Sequence, residues 1–219
     1  DFVNDIDENE LTLTVSGIVN VTVSIDGFVV TFGAQQDFNG TETVTFTVND
    51  NQRRAIASDD IDIIVTPVND APVLTEIGLQ ETSEDTALVL TLSAEDVDED
   101  NLTFSVFSEQ PNNVAAEVID SQLTLTPAEN WNGTANITVT VSDGFLTDDT
   151  TFVLTVTPVN DTPTIDLSDS LTFAEDESLI EDFSGFMDDI DGDDLTLSVS
   201  DTMNVTVTID GFVVTFGAQ

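Results

Sequence analysis

The chain has 219 residues with no Cys, His or Lys, and its 44 acidic residues face only two arginines, which gives a formal net charge of −42 at pH 7. This charge repels nucleic acid and anionic membrane surfaces and favours cations or basic partners, while the missing side chains exclude disulfides and zinc sites built from Cys or His. No apolar run reaches the ~18 residues of a membrane-spanning helix, so the sequence predicts neither nucleic-acid binding nor direct membrane insertion.

Apolar residues alternate with Thr and other polar residues in short runs along the first third of the chain. These runs are 11–15, 21–25, 28–32, 44–48 and 61–65. An alternation of period two places one set of side chains on a buried face, so each run predicts a β-strand. Asp26 and Gly27 separate the second run from the third and predict a hairpin turn.

The same alternation continues through the middle of the chain, where no segment has the periodicity of a helix. The runs there are 88–92, 102–106, 123–125, 137–141 and 152–156. About seven short strands in a domain of about 91–93 residues, with turns every 8–12 residues, are typical of a β-sandwich. The sequence therefore predicts an all-β protein of tandem Greek-key β-sandwich domains.

The chain repeats itself at two distances. The hexapeptide VTPVND occurs at residues 65–70 and at residues 156–161, which lie 91 residues apart. Residues 21–35 and 205–219 differ at one of 15 positions and lie 184 residues apart. We therefore expect an array whose true repeat is a pair of domains. This chain would hold a C-terminal part of one domain (1–68), a complete domain (69–159) and an N-terminal part of another (160–219), which we name the first, second and third repeats.

Acidic and amide side chains gather at equivalent points of the repeats, where an Asp-x-Asp pair follows one strand and an Asn-Asp linker opens the repeat. The pairs are Asp96 with Asp98 and Asp189 with Asp191, and the linkers are Asn69-Asp70 and Asn160-Asp161. Clustered carboxylates repel one another unless a cation joins them, and Ca²⁺ takes six to eight such oxygen ligands. The recurrence favours Ca²⁺ sites, and the alternative for any single copy is a solvated acidic loop.

These residues resemble the cadherin superfamily, and more closely the tandem cadherin-like repeats of large bacterial surface adhesins and other secreted proteins. Residues 156–163 (VTPVNDTP) resemble the cadherin linker, and residues 94–98 (AEDVD) resemble the Asp-x-Asp loop after the second strand. The resemblance covers the whole chain. It implies a seven-strand, cadherin/immunoglobulin-like sandwich with Ca²⁺ bound at each junction between neighbouring domains of the chain.

The resemblance also implies a ligand set for each junction. Between the second and third repeats the set is Glu84, Glu129, Asn160, Asp161, Asp189 and Asp191. Between the first and second repeats it is Gln36, Asn69, Asp70, Asp96, Asp98 and Asp143. Because Gln36 stands where the second repeat has Glu129, we expect the junction between the first and second repeats to bind Ca²⁺ more weakly, or fewer ions.

The expected function is an extracellular, cell-surface spacer of a large adhesin, in which Ca²⁺ stiffens the junctions into a rod. One alternative is a structural subunit whose copies associate with one another into fibres. A second alternative is a module that recognises a glycan or a protein. Carboxylate pairs suit glycosidase chemistry, but they recur in every repeat without a predicted pocket, so the sequence predicts no enzyme.

Overall fold

The computed structural model describes residues 10–52, 56–200 and 202–218, and every helix or strand in these ranges is a β-strand. The predicted all-β class is therefore confirmed. The chain forms two compact units. The first extends to Val73 and includes Ala94–Leu102 and Ser142–Asp148, and the second consists of Leu74–Ser93, Thr103–Val141 and Asp149–Gln219. The domain boundaries at residues 68/69 and 159/160 stay a prediction.

The first unit is built on one sheet and one hairpin. Its strands are β1 (Thr12–Ser16), β2 (Val21–Asp26), β3 (Val29–Ala34), β4 (Gly40–Asn49) and β5 (Ile56–Val65). Antiparallel pairing gives a sheet of order β1-β4-β5, and β2 pairs with β3 across the turn predicted at Asp26 and Gly27. Gly27 has a φ of 62°, a left-handed conformation that glycine adopts without strain. The rings of Phe32 and Phe46 pack edge to face, with centroids 6.2 Å apart.

The second repeat contributes nine strands, of which seven form two sheets. They are β6 (Val73–Leu74), β7 (Gln80–Ser83), β8 (Leu88–Thr91), β9 (Ala94–Glu95), β10 (Thr103–Ser108), β11 (Val114–Ile119), β12 (Gln122–Pro127), β13 (Gly133–Ser142) and β14 (Thr147–Thr157). One sheet has the order β10-β13-β14-β7 and the other has the order β11-β12-β8. The side chains of Leu123, Leu125, Ile137, Val139 and Leu154 are completely buried and form the core. The predicted seven-strand sandwich is confirmed for this repeat.

The third repeat shows the same local structures with fewer partners. Its strands are β15 (Thr164–Ile165), β16 (Ser178–Asp182), β17 (Met187–Asp188), β18 (Val205–Asp210) and β19 (Val213–Ala218). They form a sheet of order β16-β19-β18 and a small ladder between β15 and β17. The β18–β19 hairpin has the register of the β2–β3 hairpin, since Asp210 faces Val213 as Asp26 faces Val29. Near-identical sequences therefore form the same hairpin.

Candidate metal sites in the linker loops

The loop after β9 folds three carboxylates toward one point. The Oδ1 atom of Asp96 accepts hydrogen bonds from the backbone N–H groups of Asp98 (2.9 Å) and Asp100 (3.3 Å). Glu99 completes the turn with a φ of 61°, and its N–H donates to the Asp96 carbonyl. As a result, oxygen atoms of Asp96, Asp98 and Asp100 lie within 4.8 Å of one another.

The linker between the first and second repeats is hydrogen-bonded to this loop. The backbone N–H of Asp70 donates to Oδ2 of Asp98 at 2.8 Å. The side-chain amide of Asn69 donates to Oδ2 of Asp143 at 2.8 Å and to the carbonyl of Asp70 at 3.1 Å. The structure thus brings together all the ligands predicted for this junction except Gln36. We name Asn69, Asp70, Asp96, Asp98, Asp100 and Asp143 the first linker site.

The second linker has the same hydrogen bonds in the second unit. The N–H of Asp161 donates to Oδ2 of Asp191 at 2.6 Å, and the N–H of Asp191 donates to Oδ1 of Asp189 at 3.1 Å. Asn160 donates its side-chain amide to the carbonyl of Asp161 at 2.9 Å. Gly192, with a φ of 75°, takes the place of Glu99. The same geometry therefore occurs at both linkers.

A buried glutamate adds to the second linker. Glu84 is only 2% exposed, and its Oε1 atom accepts a hydrogen bond from the N–H of Val159 at 2.6 Å. Its Oε2 atom and the Oδ2 atom of Asp161 are buried without a hydrogen-bond partner. Oxygen atoms of Glu84, Asp161 and Asp191 lie within 4.8 Å of one another. A buried carboxylate oxygen without a partner is costly, and a bound cation removes that cost.

The charges around Asp161 and Asp143 act in opposite directions. Burial raises the pKa of Asp161 above its ordinary value, and the negative charges of four neighbours (Asp191, Asp85, Glu84 and Asp189) raise it further. Backbone N–H groups of Leu146 and Phe145, followed by the amide of Asn69, lower the pKa of Asp143. Asp161 thus lies in a region of uncompensated negative charge, whereas Asp143 is already held as an anion.

Two of the predicted ligands lie outside both carboxylate groups. Glu129 is exposed and belongs to neither group, and the exposed Gln36 donates its side-chain amide to Oδ2 of Asp37 at 3.2 Å. Two other carboxylates, Asp85 and Asp100, were not among the predicted ligands. Oδ1 of Asp85 accepts the N–H of Asn130 at 3.0 Å. We name Glu84, Asp85, Asn160, Asp161, Asp189 and Asp191 the second linker site.

The single Trp has a structural position near this site. Trp131 covers Gly133, where a Cβ atom would lie 3.0 Å from the indole ring. Phe38 covers Gly40 in the first repeat, at the equivalent position. Both glycines have φ values, 145° and 135°, that disfavour other residues. The aromatic rings therefore pack on turns, as the alignment of Trp131 with Phe38 predicts.

No helix among the described residues combines the length and the hydropathy needed to cross a membrane.

The fold and the linker loops define a class of tandem β-sandwich domains with acidic linkers. Residues 68–157 match the family model of the cadherin-like domain. The chain therefore contains a cadherin-like domain, and the resemblance stated from the sequence is confirmed in this respect. A search of curated proteins gives no match.

Solved structures similar to this chain show the same fold. The extracellular cadherin domains 1–5 of protocadherin gamma B2 match 94% of this chain and 45% of that chain at 14% identity, with a TM-score of 0.50. Human protocadherin-24 EC1-2 matches 70% of this chain and 84% of that chain at 17% identity, with a TM-score of 0.48. The endo-fucoidan hydrolase MfFcnA4, from glycoside hydrolase family 107, matches 94% of this chain at 19% identity with a TM-score of 0.36. The chain spans 34% of that hydrolase, and a likeness this low is no argument for hydrolase activity.

Cadherin domains typically bind Ca²⁺ and are typically extracellular, and their fold is a non-enzymatic adhesion fold. A cadherin-like domain is thus consistent with an extracellular adhesion or stalk role. The acidic groups of both linker sites supply the hard oxygen ligands that Ca²⁺ requires.

Proposed function

We propose that this chain is a Ca²⁺-stiffened spacer from a large extracellular adhesion protein. The observation that carries the proposal is the buried Oε2 atom of Glu84, which has no partner and lies beside the equally unpartnered Oδ2 atom of Asp161. A divalent cation with six to eight oxygen ligands satisfies both atoms at once. Sodium and solvent water bring less charge to a group of three carboxylates.

The second linker site takes its ligands from three consecutive parts of the chain. Glu84 belongs to the second repeat, Asp161 to the linker and Asp191 to the third repeat. An ion that binds all three joins two repeats through the linker and removes rotational freedom at residues 158–161. Without the ion, the carboxylates repel one another and oppose that arrangement. The linker thus acts as a hinge whose stiffness depends on Ca²⁺.

The first linker site supports the weaker binding expected from Gln36. Asn69 and Asp70 contact only Asp98 and Asp143 of the second repeat. Gln36, from the first repeat, uses its amide on Asp37. We therefore propose that the first linker fills at higher Ca²⁺ concentrations than the second, so that the stalk stiffens in stages.

Isothermal titration calorimetry of the 219-residue protein with CaCl₂, and with MgCl₂ for comparison, tests this proposal. Glu84→Gln removes one charge from the second linker site while keeping side-chain size. Glu117→Gln, on an exposed position of β11, is the matched control.

We expect Glu84→Gln to weaken the tighter Ca²⁺ site at least about tenfold, which corresponds to about 1.4 kcal/mol. Glu117→Gln should leave both sites unchanged. Equal Ca²⁺ affinity in the two variants, or heats that Mg²⁺ reproduces, would leave only diffuse screening of an acidic surface and would refute the proposal.

A further inference from the structure

The first repeat leaves apolar side chains exposed that are buried at the equivalent positions of the second repeat. Ile61 is 48% exposed, while its counterpart Phe152 is 4% exposed. Phe32 is 39% exposed, while its counterpart Leu125 is completely buried. The strands that cover these positions in the second repeat are β7, which runs parallel to residues 154–157 of β14, and β8, which pairs with β12. Within the described ranges, the outer edge of β5 and the free edge of β3 carry no such strand.

The third repeat contains the segments that the first repeat lacks. Its β16 is the counterpart of β8 and pairs with β19. Residues 171–174 are the counterpart of β7, yet among the described residues they pair with no strand. An apolar cavity of about 250 Å³ opens beside them, lined by Leu167, Leu171, Phe183, Leu197 and Phe216 among others. The counterparts of β13 and β14 would cover this cavity, and the first repeat holds those counterparts as β4 and β5.

The two partial sandwiches share one nearly identical element. Residues 21–35 and 205–219 differ at one of 15 positions, and the two hairpins have the same register. Gly33 packs on Thr22 and Gly217 on Thr206 in the same way, since a Cβ atom on either glycine would lie 2.6 Å from the Thr hydroxyl. The β18–β19 hairpin therefore fits where the β2–β3 hairpin packs, and an identical element can be exchanged between copies at low cost.

We propose that two copies of this chain join head to tail by completing one sandwich. The β16-β19-β18 sheet of one copy packs on the β1-β4-β5 sheet of the next copy, and displaces that copy's β2–β3 hairpin. Residues 171–174 of the first copy then add to residues 63–66 of the second as a parallel strand. The register of β14 and β7, in which Thr155 faces Glu81, places Ile64 opposite Thr172.

This contact uses different surfaces of the two copies and leaves one free end on each. Such a heterologous contact extends into a filament when its rotation does not close a ring. Main-chain hydrogen bonds of the added strand supply affinity, and the buried apolar positions supply register. Because each copy carries a formal charge of −42, repulsion opposes the contact, so association strengthens with salt.

Disulfide trapping tests the pairing, because the chain has no Cys of its own. Protein with Ile64→Cys is mixed with protein with Thr172→Cys in a glutathione redox buffer at high salt. Both positions are exposed, so the substitutions leave the core intact. The expected result is a covalent dimer whose yield exceeds that of Ile64→Cys mixed with Ile119→Cys by at least about tenfold, or about 1.4 kcal/mol of preference.

Two further variants make the outcome decisive. Thr155→Cys with Glu81→Cys in one chain reports the template register and should form an intramolecular disulfide. Ile64→Cys with Thr172→Cys in one chain should form disulfide-linked multimers whose share rises with concentration. Equal yields for the test and control pairs, or a concentration-independent intramolecular bond in the double variant, would overturn the proposal.

Sedimentation equilibrium of the unmodified protein adds a readout without Cys. We expect the mean mass to rise with concentration at high salt. A monomer mass at every concentration would overturn the proposal and would leave the Ca²⁺ sites untouched.

Discussion

Glu84→Gln should change the stability of the protein in opposite directions with and without Ca²⁺. Oε1 of Glu84 accepts the N–H of Val159, and a glutamine oxygen keeps that hydrogen bond. The glutamine amide replaces the unpartnered Oε2 and faces the unpartnered Oδ2 of Asp161. A hydrogen bond to a charged group contributes about 1.5–3 kcal/mol. In a chelator, the variant should therefore be more stable than the parent protein by about 1–3 kcal/mol.

In Ca²⁺ the sign reverses, because the variant loses ligand-linked stabilisation. At a free Ca²⁺ concentration a hundred times the dissociation constant, binding stabilises the native state by about 2.7 kcal/mol. Urea unfolding of parent, Glu84→Gln and Glu117→Gln proteins, each in EGTA and in CaCl₂, measures both effects. A Glu84→Gln protein that is less stable than the parent in EGTA would refute the reasoning that an unpartnered carboxylate waits for a cation.

Three further predictions follow from single side chains. In EGTA, Asp161→Asn should remove the extra stability that the parent gains as the pH falls, because a raised folded-state pKa stabilises the protein below the ordinary pKa of the group and this stability is lost as the pH rises through the raised value; urea unfolding at several pH values measures it, and parallel curves for both proteins would contradict it. Leu125→Ala should cost about 2–5 kcal/mol in urea unfolding because the side chain is completely buried, and a loss below about 1 kcal/mol would show that the sandwich core is loosely packed. Glu99→Gly should stabilise the apo protein by about 1 kcal/mol, since Glu99 holds a φ of 61° that Gly192 holds at the equivalent position; a lower unfolding midpoint would argue against strain at this turn.

Local sequence patterns predicted the hairpins and the acidic loops well. The runs 21–25 and 28–32 and their Asp-Gly turn became β2 and β3, because alternation and turn chemistry act over a few residues. The recurrence of Asp-x-Asp likewise predicted the pair Asp96 and Asp98, which the structure places together.

Long-range pairing was not predictable in the same way. Residues 195–199 repeat the alternation of β1, yet they form no strand, while β1 pairs with β4. A strand needs a neighbour, and pattern alone does not show whether the neighbour is present. Asp85 and Asp100 were missed for a related reason. Their positions depend on the left-handed turn at Glu99 and on the fold that brings Asp85 near Asp161. A third acidic residue four positions after Asp96 was the available signal for Asp100.

The central claim is that Ca²⁺ at the second linker site fixes the third repeat to the second. Spin labels on Glu117→Cys and Asp210→Cys, in a chain with no other Cys, report the distance across this linker by double electron–electron resonance. The account predicts a broad distance distribution in EGTA that becomes narrow in CaCl₂, and a distribution that stays broad in CaCl₂ when Glu84→Gln is added. A distribution of the same width in EGTA and CaCl₂ would contradict it.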